Sequence, residues 1–255
     1  MPIKFDMFSL YCSVYYGNIS VILRAIYNLR TKNERVMSTS LLRDFDKVPE
    51  PTLRRLPWYL STVKLLKDRG EQYVSSTQIS KDINVDASQI AKDLSYVKVT
   101  GRTRVGYEID GLIRALEAFL GFTNMHKAFL FGAGSLGRAL LGDSGLHQFG
   151  LEIVAAFDVN PSVVGTEVGG VPIFHTDDFA RKMQEYRVDI GILTVPINIA
   201  QQVTDDMVAG GIKAVWNFTP FRIRVPENIV VQNTSLYAHL AVMFNRLNVN
   251  QMLNK

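Results

Sequence analysis

The sequence predicts an α/β protein in two unlike parts: a winged helix-turn-helix domain, then a Rossmann-type doubly wound parallel sheet with a C-terminal helix. Three observations predict it. Basic charge is concentrated in the first half. Two short helical patterns meet across a tight turn and run into an arginine-bearing hairpin. A glycine-rich loop stands between an apolar strand and a helix. Split at Met125, the first part carries 18 Lys+Arg against 13 Asp+Glu and the second 10 against 11. The whole basic excess of the 255-residue chain therefore lies in its N-terminal half, which points to a nucleic acid or another anionic partner. With 47% apolar residues the chain can build a core, which excludes wholesale disorder. A single thiol, Cys12, excludes a disulfide scaffold and a Cys-based zinc module and suits a reducing, cytoplasmic setting.

Residues 1–47 read as an extension. The uncharged run between Asp6 and Arg24 is too short and too polar, with Ser9, Ser13, Gly17, Asn18 and Ser20, for a membrane span of ~20 apolar residues. No small-residue cleavage site follows it cleanly, which argues against a signal peptide. The expectation is a loosely held extension or an over-extended start with Met37 as initiator.

Residues 48–110 form the predicted DNA-binding domain. Leu53, Leu56, Tyr59, Leu60, Val63 and Leu66 recur at helical spacing, with Pro49, Pro51 and Pro57 punctuating the entry and Gly70 ending the helix. Ser75 or Ser76 can cap a short helix with Ile79 and Ile83 inward. Asn84 can take the left-handed turn, Val85 can plug it, and Asp86 can cap a second helix with Ile90 and Leu94 inward. Ser88, Gln89, Lys92, Ser95 and Tyr96 then face outward, the small polar and basic set of a DNA-reading helix. Val97 to Ile109 reads as two short strands joined at Gly101-Arg102-Thr103-Arg104, a wing whose Arg102 and Arg104 suit phosphates or a narrow minor groove. Between Pro51 and Tyr107 ten Lys+Arg stand against five Asp+Glu.

A linker helix is expected in residues 111–125, and residues 126–233 then change pattern. Ala128 to Phe131 is an apolar strand running into Gly132, Ala133, Gly134, Ser135, Leu136 and Gly137 and then into a helix, the context that a dinucleotide-binding GxGxxG needs. Gly132 permits the turn, Gly134 lets backbone N–H groups approach a pyrophosphate, and Gly137 permits close helix–strand packing. Twenty-one residues on, the strand LEIVAAF ends at Asp158, whose carboxylate can accept both ribose hydroxyls and repels a 2′-phosphate, favouring NAD(H) over NADP(H). Strands at Val188–Val195, Ala214–Phe218 and Ile229–Val231, with a helix near Ile199–Ala209, continue the α/β rhythm. Thr194, Val195 and Pro196 and the stretch from Asn217 and Phe218 to Pro220 sit at strand ends, where they can line the nicotinamide. Residues 234–255 are the C-terminal helix, with Leu236, Leu240, Met243, Phe244, Leu247 and Met252 on one side, to pack on its own domain or on a partner.

No catalytic residue and no metal site are evident. His126, His147, His175 and His239 share no motif, and little chain remains for a substrate domain. A small NAD-dependent oxidoreductase, or a CoA-binding ligase-like module suggested by VGGVPIF and TVP, would each leave the basic winged helix unexplained.

The combination resembles the Rex family of bacterial redox-sensing transcriptional repressors, on PTLRRLPWYL (Pro51–Leu60), QIAKDLSY (Gln89–Tyr96), Gly101–Tyr107, Gly132–Gly137 and Asn217–Pro220. The resemblance spans Val48 to Asn250. It implies a non-enzymatic homodimer whose C-terminal helix is exchanged between subunits. It implies binding to palindromic double-stranded operators when NADH is low and release when NADH rises, with NADH and NAD+ as effectors and no membrane partner. Ala91 stands where the family usually carries a basic residue, leaving Arg54, Arg55 and the wing to compensate or the operator to differ. Ser135 stands where Asn or Arg is common. An apolar pocket of Val195, Pro196 and Phe218 is then expected to favour the neutral ring of NADH over the cationic ring of NAD+.

Overall fold

The computed structural model describes residues 48–253. The expectations for residues 1–47, Met37 and Cys12 included, lie outside the described residues. The chain divides into two compact units that part between Leu116 and Glu117.

In the first unit, α1 (Glu50–Asp68) packs on α2 (Ser76–Ile83) and α3 (Ala87–Tyr96). α1 starts earlier than its apolar pattern suggests. Pro51 sits in the first turn, where no N–H is required, whereas Pro57 lies inside the helix, where its ring removes the bond to the Leu53 carbonyl. Its buried stripe is Thr52, Leu56, Tyr59, Leu60, Thr62, Val63 and Leu66. Leu53, expected inside, is 39% exposed. The turn chemistry follows the reading above. The Ser75 side chain accepts the Gln78 N–H, Asn84 is left-handed at φ 53°, and Asp86 accepts the Ser88 N–H. Ile79, Ile90 and Leu94 are fully buried.

The wing departs from expectation. β2 (Tyr107–Glu108) pairs antiparallel with β1 (Tyr73–Val74), the residues just before α2, and not with Val97–Thr100. The hairpin itself is closed by one bridge, Arg102 to Gly106, which moves the tip to Thr103–Val105. The cause is local. Val97 caps α3 and Lys98 turns left-handed at φ 59°, so no extended strand is available there. Gly106, at φ 99°, lies so close to β1 that a Cβ would stand 2.3 Å from the Val74 carbonyl oxygen. α4 (Ile109–Phe119) follows directly.

The second unit carries β3 (His126–Phe131), α5 (Ser135–Leu141), α6 (Gly145–Gln148), β4 (Leu151–Asp158), β5 (Glu167–Val168), β6 (Val171–His175), α7 (Phe179–Tyr186), β7 (Ile190–Leu193), α8 (Ala200–Ala209), β8 (Ala214–Asn217), β9 (Val230–Asn233) and α9 (Leu236–Leu253). The sheet order is β5-β6-β4-β3-β7-β8-β9, parallel except for β5. Both faces are buried and side chains alternate between them, apart from a register shift where Val154 and Ala155 of β4 pack on the same face. Phe129, Phe131, Ala155, Phe157, Leu193 and Val215 point to one face, and Ala128, Leu130, Ala156 and Ile192 to the other. The first face is an aromatic layer, with Phe129 edge-on to Phe157 at 5.1 Å and Phe131 stacked on Phe157 at 5.2 Å. The chain order reverses between β4 and β7 on either side of β3, which opens a crevice at the strands' carboxyl ends. Along α9, Tyr237 to Met252 are exposed.

Candidate functional site

The crevice is a cleft of about 600 Å³ lined by the ends of β3 (Phe131, Gly132), β4 (Phe157, Asp158) and the segment after β7 (Thr194 to Ile197, Ile199). Each glycine of the loop serves a different need. Gly132 is at φ 98°, and a Cβ there would lie 2.9 Å from the Thr194 backbone. A Cβ at Gly137 would lie 2.1 Å from the Gly132 carbonyl oxygen, which holds α5 tight against β3. Gly134 is different: nothing lies within 4 Å of where its Cβ would be, and the residue lines the cleft. Conformation and packing require the first and third glycines, while the second leaves open space beside the first amides of α5, which have no intrahelical partner. That space fits a pyrophosphate. Thr194 braces the turn, its hydroxyl donating to the carbonyls of Phe131 (2.9 Å) and Gly132 (2.7 Å).

Among the described residues, Asp158 is the only charged one lining the cleft. One carboxylate oxygen accepts the Ala133 N–H at 2.6 Å and the other the Asn160 N–H at 2.8 Å. Asp158 thus closes the glycine loop as well as lining the cleft, and the buried Ala133 amide is spent on it. Ser135 is exposed and Leu136 half-buried at the start of α5. At the far side the wall is apolar: Val195, Pro196, Ile197, Ile199, Val203, Pro220 and Tyr237. Asn217 and Phe218 are not part of it. The fully buried Asn217 amide donates to the Phe221 carbonyl and to Asn233, and its oxygen accepts from Thr219, so it ties the loop together. Phe218 turns to the opposite face of the sheet, 4.6 Å from Trp216. Its place at the strand end is as expected, but side-chain alternation turns it away from the cleft. Thr176 and Tyr237 line the cleft without any local sequence signal.

In the first unit, Ser88, Lys92 and Ser95 are exposed along one side of α3, with Gln89 and Tyr96 half-buried beside them. Ser88 Oγ donates to the Asp86 carboxylate and Ser95 Oγ to the Lys92 carbonyl, which leaves the Lys92 ammonium as the forward cation of this face. Arg54 is exposed and pairs with Glu50 at 2.6 Å. At the wing, Arg102 rests on Tyr73, 3.3 Å from its hydroxyl, and Arg104 is exposed at φ 66°. Arg55 is engaged inward: Nε and Nη2 make a bidentate contact with Asp93 at 2.7 and 2.9 Å. Asp93, fully buried, also accepts from Tyr59 (2.7 Å), Thr52 (2.9 Å) and Gln89 (2.8 Å). Burial pushes its carboxyl up, but these bonds outweigh burial and hold it below the ordinary carboxylate range. The hydrogen bond to Asp93 raises Arg55, and burial raises Tyr59. Sequence reading counted Asp93 only as charge; the signal was its place beside Ile90 and Leu94 on the inward face of α3. Among the described residues no group of three or more His, Cys, Asp or Glu is placed to hold a metal, and no helix is long and apolar enough to cross a membrane.

Two family models match, one described as a putative DNA-binding protein N-terminus over residues 47–95 and one as a CoA binding domain over 123–221. The chain is 80% identical over 210 residues to the redox-sensing transcriptional repressor Rex of Bacteroides fragilis, covering 82% of this chain and 96% of that protein. Against the Rex of Porphyromonas gingivalis W83 it is 62% identical over 212 residues, covering 83% and 97%. Among solved structures it resembles RSP, a Rex-family repressor, in complex with β-NAD+ and operator DNA, at 30% identity and a TM-score of 0.76, covering 81% of this chain and 95% of that one. The β-NADH complex of RSP gives a TM-score of 0.73 at the same identity, covering 82% and 98%. With helix-turn-helix and nucleotide cleft on one chain, and relatives of this identity along most of its length, the protein belongs to the Rex family of redox-sensing transcriptional repressors.

Proposed function

We propose that this chain binds palindromic operator DNA through α3 and the wing when NADH is low, and releases it when NADH occupies the cleft. The observation that carries this reading is the cleft's polarity, one carboxylate at the end of β4 and an apolar wall after β7. Gly134 and the first amides of α5 hold the pyrophosphate, and Asp158 accepts from the adenosine ribose. A carboxylate there repels both the 2′-phosphate of NADP(H) and the 3′-phosphate of CoA, so NAD(H) is the ligand of this domain. Those contacts are the same for NAD+ and NADH and cannot switch anything, because a switch needs differential affinity. The nicotinamide supplies the difference, being cationic when oxidised and neutral when reduced. Val195, Pro196, Ile199 and Pro220 offer it apolar surface and no counter-charge, which disfavours the cation by desolvation. A ~100-fold preference for NADH needs only ~2.7 kcal/mol.

The DNA-binding set is Arg54, Ser88, Gln89, Lys92, Ser95, Tyr96, Arg102 and Arg104, with Arg55 turned inward to Asp93 behind it, and two copies meet half-sites ~34–36 Å apart. The exposed apolar length of α9 supports a homodimer in which this helix is exchanged, since Leu236, Leu240, Met243, Phe244 and Leu247 are each 40% exposed or more. The cytoplasm, where operator and nucleotide pool meet, is the compartment. Titrating a fluorescent palindromic duplex bound to the protein with each nucleotide tests the reading: NADH releases DNA at far lower concentration than NAD+. Equal release by both nucleotides refutes it.

A further inference from the structure

We infer that Asp93, which is buried and touches no ligand, sets which base α3 reads, by fixing the amide of Gln89. This rests on the repressor reading above. Gln89 is the third residue of α3, in the part of a recognition helix that reaches base edges. Its Nε2 donates to Asp93 Oδ1 at 2.8 Å. The same carboxylate is gripped by Arg55 and Tyr59 from α1, so it cannot turn away. An ionised carboxylate only accepts, so the Gln89 amide has one allowed orientation, with its NH₂ group toward Asp93. What remains for a ligand is one N–H and the carbonyl oxygen Oε1, the donor–acceptor set that pairs with adenine N7 and N6–H₂. Without Asp93 the amide is free to rotate, and a freely rotating glutamine offers donor or acceptor to any base. The network therefore does two jobs: it holds α3 against α1, and it decides the chemistry α3 presents.

The test is a selection from a pool of duplexes with symmetric randomised half-sites, followed by binding to the best duplex and its single-base variants. Wild type shows one position per half-site, preferring adenine, whose preference disappears in Gln89→Ala. Asp93→Leu, which offers Gln89 no acceptor, lowers the preference at that same position by about tenfold or more, as loss of one bidentate contact does, while leaving the other positions and the salt dependence unchanged. Val63→Ala, a buried α1 change off the network, lowers Tm without altering any preference. If Asp93→Leu does not fold because Arg55 is left unpaired, adding Arg55→Met leaves no unpaired buried charge and frees Gln89 in the same way. Retention of the full preference in either Asp93 variant overturns the inference, as does a uniform loss at all positions shared with Val63→Ala. Selection of no duplex over random DNA by the wild type overturns the repressor reading and the inference with it.

Discussion

A methyl group added at Gly134 or at Gly137 separates the ligand role of the glycine loop from its structural role. At Gly137 a Cβ would stand 2.1 Å from the Gly132 carbonyl oxygen and 3.1 Å from Leu130 Cδ2. Relieving that overlap means moving α5 off β3 by about an ångström, at an overpacking cost of roughly 2–4 kcal/mol. Helix propensity returns about 1 kcal/mol on replacing glycine by alanine. Gly137→Ala should therefore lose ~1–3 kcal/mol, and each kcal/mol lowers the Tm of a domain of ~100 residues by roughly 4–8 °C. At Gly134 the same methyl meets no atom within 4 Å, and the backbone, at φ −72° and ψ −166°, is open to alanine. The stability cost is only the poorer N-cap, under about 1 kcal/mol. The methyl does occupy the space beside the α5 amides. Losing one charge-assisted amide–phosphate bond costs about 1.5–3 kcal/mol, or roughly 10–150-fold in affinity. Thermal unfolding with and without NADH measures both quantities. Gly134→Ala should unfold near the wild-type temperature but lose most of the NADH-induced rise. Wild-type NADH affinity in Gly134→Ala, or instability equal to that of Gly137→Ala, would refute the assignment of the open space to the ligand.

Asp158→Ala removes the acceptor of the Ala133 and Asn160 amides as well as the ribose contact. It should weaken NAD+ and NADH alike, and also cost about 1–3 kcal/mol of stability through the unsatisfied amides, as read by calorimetry alongside denaturation. Lys92→Ala and Arg102→Ala should each lower DNA affinity and reduce the slope of log K against log salt by about 1, measured by anisotropy over a salt series. Phe218→Leu should leave the NADH/NAD+ affinity ratio unchanged, because Phe218 packs beside Trp216 away from the cleft; a changed ratio would return it to the nicotinamide wall. Asp93 has its pKa depressed in the folded state, so its contribution to stability is present above the ordinary carboxylate range and is lost as pH falls through the folded value. Acid unfolding of the wild type should accordingly steepen below that range, and the acid limb of Asp93→Asn should be flatter.

The local elements and the glycine loop were readable from sequence because each rests on chemistry within a few residues. Ser75, Asn84 and Asp86 announce two helices and their turn through caps and a left-handed residue. Gly132 and Gly137 announce a turn and a tight helix–strand contact. Readings failed where a residue's direction depends on a distant partner. The wing strand pairs with Tyr73–Val74 rather than with its neighbour, because Gly106 lets the backbone pass close to Val74. Phe218 sits at the right strand end and on the wrong face, and Arg55, grouped with the DNA contacts, also holds a buried carboxylate.

By itself the sequence determined the two-domain plan, the place of the basic charge, the glycine-rich loop between strand and helix and the carboxylate at the end of the next strand. These follow from charge, periodicity and backbone conformation, which are properties of short stretches of chain. Only the tertiary structure decided that, of the three loop glycines, Gly134 alone is open, that Ile199, Val203 and Tyr237 join Val195 and Pro196 in the apolar wall, and that Asp93 gathers Thr52, Arg55, Tyr59 and Gln89. Those groupings reach across tens of positions, as from Thr52 to Asp93 and from Val195 to Tyr237, and which side chains meet is set by sheet order and helix packing rather than by spacing along the chain.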